Sequence, residues 1–285
     1  MTFTNYLKAQ LTDFVDAYKK YYLKTNGTTV VFTLVTFVFI ALLFHFSIFD
    51  KTSTKRNISL LSYFFVRYSF ADTYSIVDLS KTVFIFFVSL FSISLIRQEK
   101  NKLETSNYNF SIFLKNIKGN DFLYLFVVLA ISATADYLLV KLDVLSLKNF
   151  RGSPADRWIH GILFLLRMYI PLILFSFVNY KILTGKKRNF NFQKFIWLFI
   201  TLWLFNEFAY EVSLFIRGHI FELILLPFPL DSQYFIESII GVPLISFYFL
   251  GYHSAMTNSM LLLNDDDLGN NTAGNTSIAT SGADG

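Results

Sequence analysis

The chain has 285 residues, 54% hydrophobic and only 16% charged, with a net charge of +5 and a mean hydropathy of +0.47. Soluble domains carry ~25% charged residues. Here the apolar residues fall in continuous blocks of about twenty, which excludes a soluble globular fold and the alternating pattern of a transmembrane barrel. There is no cysteine, so disulfides, thiolate metal sites, iron–sulfur clusters and a cysteine nucleophile are excluded. The Lys and Arg residues are scattered over several loops and form no nucleic-acid patch. The expectation is an all-α polytopic transmembrane helix bundle of about six spans.

Residues 1–27 form the first segment. Leu7, Leu11, Phe14, Tyr18 and Tyr21 recur at helical spacing, with Lys8, Lys19 and Lys20 elsewhere on the wheel. This predicts an amphipathic helix lying in the headgroup plane of a lipid bilayer. The bundle proper is expected over 28–253. Its first span covers 28–49, and an interfacial or re-entrant stretch follows near 58–70. The second span covers 81–96 and carries Ser89, Ser92 and Ser94, suited to close packing. The polar stretch 97–120 contains a short surface helix built on Phe110, Ile112, Phe113, Leu114 and Ile117.

The third span covers 122–142, where small residues precede Asp136 and allow a neighbouring helix to come close. Ser153-Pro154 starts the fourth span, 157–182, which sets His160, Phe164, Arg167 and Pro171 on one face. After the most basic loop comes the fifth span, 195–216, apolar except for a stripe of Asn206, Glu207, Tyr210 and Glu211. Residues 219–232, with Pro227 and Pro229, are too short to cross and predict a re-entrant or interfacial hairpin beginning at His219. The last span, 233–252, holds Glu237, and the polar tail 264–285 is expected to be disordered.

With the N-terminus inside, fourteen Lys/Arg lie on the inner side and ten on the outer side. This orients the chain with a cytoplasmic N-terminus, as in a bacterial inner membrane. Under that topology Asp136, Arg167, Glu207, Glu211 and Glu237 fall within about 8 Å of mid-membrane depth, in one layer. A charged side chain there costs at least ~2.5–3.5 kcal/mol, so each must meet a partner or water. Two arrangements satisfy this. Arg167 pairs with Asp136 or Glu207 and locks helices, or the acids line a polar cavity that binds protons or cations, with His160, Asn206, Tyr210 and His219 as secondary members.

No G-x-S-x-G, H-E-x-x-H, Walker A or Gly-rich phosphate sequence is present, so no residue is assigned to catalysis, no metal is expected, and nothing specifies a cofactor. The four histidines lie on separate segments, and the adjacent glutamate pair of the intramembrane glutamate proteases is missing. The order of six spans, interfacial N-terminal helix, surface helix after the second span and hairpin before the last resembles the layout of ABC-2-type exporter permeases. That resemblance implies a transport or export permease subunit working with an ATPase. The other readings are a non-catalytic structural subunit of a membrane complex and an intramembrane enzyme on a lipid-linked substrate.

Overall fold

The computed structural model describes residues 3–23, 27–29, 31, 33, 36, 76–101, 108–150, 154–185, 190–216 and 243–260. Among them the elements are all helices, with no strand. In chain order they are α1 (Phe3–Ala17, continued by a π-helical turn, Tyr18–Leu23), α2 (Ile76–Lys100), α3 (Phe110–Asn116), α4 (Gly119–Phe150), α5 (Pro154–Thr184), α6 (Phe192–Ile216) and α7 (243–260). Most of the expected first span, the stretch near 58–70, the hairpin at 219–232, the first half of the last span and the tail at 264–285 lie outside the described residues.

Among the described residues, three helices are long and apolar enough to cross a membrane: Thr82–Lys100 in α2, Gly119–Asp143 in α4 and Trp158–Thr184 in α5. At ~1.5 Å per residue the shortest of them is about 28 Å long, close to the ~30 Å hydrocarbon core of a bilayer.

The three have different surroundings. Every residue of α2 from Val88 to Ile96 is buried, so α2 is enclosed on all sides. Ser89, Ser92 and Ser94 are among them, and their small side chains let neighbouring backbones approach. In α4 only a narrow stripe is buried, and it is partly polar: Asp121, Leu125, Val128, Ser132, Asp136 and Val140. Its exposed faces carry Phe122, Leu123, Phe126, Val127, Ile131, Leu138 and Leu142. In water this polarity would be inverted. In lipid it is the stable arrangement, because the apolar side chains face hydrocarbon and the polar ones find partners between helices.

α4 and α5 are joined by three residues, which forces an antiparallel hairpin, and theirs is the most extensive helix contact among the described residues. α5 begins at Pro154 as expected and ends at Gly185, whose φ of 81° suits glycine at a left-handed helix end. α2 packs against both arms of the hairpin and against α3. α6 packs on α5.

α1 is docked along its length. Tyr6 contacts Trp197 and Phe14 contacts Phe205, so α1 runs parallel to α6. Gln10 hydrogen-bonds Ser254 and Asn258 while Phe14 meets Phe247, so α1 runs antiparallel to α7. The buried face is Tyr6, Gln10, Ala17 and Tyr21; of the apolar stripe expected to meet the bilayer, Tyr21 is buried against the bundle and Leu11 is 63% exposed. α7 continues to residue 260, beyond the expected end of the last span at 252.

Candidate functional site

Along the α4–α5 hairpin two polar pairs lie on one seam. Arg167 donates from Nε to Asp136 Oδ1 at 2.7 Å, with the two side chains only 12% and 10% exposed. Seven residues away on each helix, His160 Nδ1 meets both carboxylate oxygens of Asp143, at 2.8 and 3.0 Å. Seven residues are two helical turns, about 10 Å, so the pairs repeat in register along the antiparallel contact. Pro171 lacks the N–H that the carbonyl of Arg167 would accept one turn earlier, and it sits directly beyond the ion pair.

Glu207 is held between α5 and α6. The hydroxyl of Tyr169 donates to its Oε1, and the indole N–H of Trp203 reaches the same oxygen at 3.2 Å and the Tyr169 oxygen at 2.6 Å. The carboxylate is thus satisfied by neutral aromatic donors, which keep their rings in apolar surroundings.

The structure therefore brings Asp136 to Arg167 and Glu207 to Tyr169, on the hairpin and its flank. Asn206 is half-buried on α6. Glu211 is exposed, in a stripe with the exposed Phe208 and Phe215. The side chain of Tyr210, and all of His219 and Glu237, lie outside the described residues.

Sequence reasoning did not anticipate Asp143, Tyr169 and Trp203. Asp143 had a usable signal: in an antiparallel pair of spans that sets Asp136 opposite Arg167, it falls opposite His160. Tyr169 and Trp203 had none, since aromatic residues recur throughout the chain.

A second polar cluster fastens α1 to the bundle. Glu99, near the end of α2, accepts from Lys20 Nζ at 3.0 Å and from the hydroxyl of Tyr21, and its other oxygen lies 3.6 Å from His253 Nε2 on α7. Asp13 stands nearby on α1, and burial pushes its carboxyl above the ordinary carboxylate range. At the same end Arg97 binds Asp121 and the carbonyl of Asn116, tying α2, α3 and α4 together. Among the described residues no group of three or more His, Asp or Glu is placed to hold a metal ion.

Comparison of the chain with protein-family models, with curated proteins and with solved structures returns no match.

Proposed function

We propose that the chain is a non-catalytic integral subunit of a membrane protein complex. The observation that carries this reading is the way the buried charges are used. Asp136 is bound by Arg167, Asp143 by His160 and Glu207 by Tyr169, so each of these acids fixes one helix against another. In a membrane, polar pairs of this kind supply directional contact between helices that are otherwise equally at home in lipid. The exposed carboxylate of Glu211, set between exposed Phe208 and Phe215, supports a partner subunit on that face of α6, because an acid at membrane depth requires a donor or water.

A transport or export permease is the second reading. It is favoured by the string of Asp143–His160, Asp136–Arg167 and Glu207 along adjoining helices, a row of groups able to exchange partners with a passing proton or cation. An exporter of this kind would require an ATPase partner.

The two readings separate on whether the seam is wet. The chain has no natural cysteine, so Ser132→Cys, one turn from Asp136 and fully buried, is a unique probe. For a structural subunit a charged, water-soluble thiol reagent leaves it unmodified in the folded protein in membranes. Modification at the rate of an exposed control, Trp158→Cys, would sink the structural reading in favour of the permease.

A further inference from the structure

We infer that α3 and the start of α4 form a ledge that inserts into the bilayer interface and selects anionic phospholipid headgroups. The inference rests on the reading of the chain as a membrane subunit and adds the lipid class and the residues that recognise it.

α3 is rigidly held from one side. Its Phe113 stacks on Phe91 of α2 with ring centroids 4.5 Å apart, Asn116 donates to Gln98 at 3.1 Å and to the carbonyl of Ser94 at 3.3 Å, and Arg97 donates back to the carbonyl of Asn116 at 2.8 Å. Asn109 caps its first turn by accepting from the N–H of Ile112. These contacts fix what the opposite face presents. Phe110 and Leu114, four residues apart and therefore neighbours on the helix surface, are 59% and 56% exposed. Two residues separate α3 from α4, and the first turns of α4 also carry exposed Phe122, Leu123 and Phe126.

Beside this apolar edge stand Lys115 and Lys118, both exposed. Among the described residues, the two acids nearest to it on α2 and α4 are engaged elsewhere. Asp121 is bound by Arg97 and by the backbone N–H of Lys118, and Glu99 by Lys20 and Tyr21. The edge therefore pairs inserted apolar side chains with two lysines at the level where phosphate lies, which is how a short interfacial segment favours an anionic leaflet. The exposed apolar pair of α3, its place directly before the apolar start of α4, and the complementarity of Lys115 and Lys118 to phosphate together select anionic lipid over a protein partner.

The test uses the full chain reconstituted in vesicles, with an environment-sensitive nitrobenzoxadiazole label on Leu114→Cys as the sole thiol. Quenching by doxyl-phosphatidylglycerol is compared with quenching by doxyl-phosphatidylcholine at equal mole fraction. The expected result is stronger quenching by the anionic lipid. Its preference falls about fivefold for each of Lys115→Gln and Lys118→Gln and weakens in high salt. Lys141→Gln, at the other end of α4, leaves the preference unchanged. Equal quenching by both lipids would overturn the headgroup selectivity. A second label at Ile131→Cys, on the lipid-facing side of α4, separates the remaining outcomes. If both lipids quench the label at 131 but neither quenches the one at 114, the ledge faces water or protein and the proposal fails alone. If neither position is quenched, the membrane reading fails with it.

Discussion

The carboxylate of Asp136 and the guanidinium of Arg167 are each costly in hydrocarbon and are tolerable only together. Removing one partner leaves the other buried without its counter-charge, a loss of about 3–5 kcal/mol, whereas removing both charges is close to neutral. Asp136→Asn and Arg167→Gln are each expected to lower the unfolding midpoint in detergent strongly, and the double variant to recover most of the loss. A double variant no better than the worse single would show that the two residues do not act as a pair. Asp13 has the opposite sense. Burial raises its carboxyl above 3.8, and Glu99 and Asp16 add to that while His253 and Lys20 oppose it. The folded chain then holds this proton more tightly than the unfolded chain does. Its contribution to stability is greatest below pH 3.8, is lost as pH rises through the raised value, and is constant above it. Asp13→Asn is expected to unfold at a higher temperature than the parent at pH 7, with the difference closing as the pH falls below 3.8. A difference that persisted unchanged at low pH would assign the effect to something other than the proton.

At the scale of the elements, the long helices were legible because their apolar runs are continuous, and α2, α4, α5 and α6 stand where the runs are. The face each helix buries was less legible. In α1 the apolar stripe was read as meeting the bilayer, yet one of its members, Tyr21, is buried against the bundle together with polar Gln10, while Leu11 lies outside. The reason is physical: next to a bilayer an aliphatic stripe can face lipid as readily as protein, so apolar periodicity does not identify the inner face. Gln10 earns its burial through bonds to Ser254 and Asn258 on a helix more than 240 residues away, which no local pattern reveals. Asp136 stood out as an acid in an apolar run, whereas Asp143 emerges only once the register between α4 and α5 is set, and Tyr169, one aromatic among many, only from its contact with Glu207. The contact of α6 with α7 offers a direct check on packing. A Cβ added to Gly251 would lie 2.6–2.9 Å from three ring atoms of Phe205. Gly251→Ala should therefore destabilise the protein by about 1–3 kcal/mol, the usual cost of overpacking. Adding Phe205→Leu should return part of it in a double-mutant cycle, and strictly additive effects would argue against this contact.

For the whole molecule the decisive property is which ends share a side of the membrane. The described helices already impose a pattern. The end of α2, α3 and the start of α4 are bound into one corner by Arg97, Asn116 and Asp121, and the end of α5 and start of α6 are separated only by residues 185–191. The junction between Phe150 of α4 and Pro154 of α5 lies at the far end of α4. From Gly119 to Asp136 is about 25 Å and to Asp143 about 36 Å at the helical rise, against a ~30 Å hydrocarbon core. The Asp136–Arg167 pair then sits within the hydrocarbon and the Asp143–His160 pair at the far boundary, where its partial exposure is tolerated. An impermeant thiol reagent applied to intact cells carries this into experiment. Single cysteines at Lys118 and Phe192 are expected to react only after permeabilisation, in keeping with an inward N-terminal side. One at Trp158, exposed at the start of α5, is expected to react without it. Reaction of all three from the same side would mean that the hairpin does not cross the bilayer. The inverted polarity of α4 would then have to be explained by a protein surface instead of lipid.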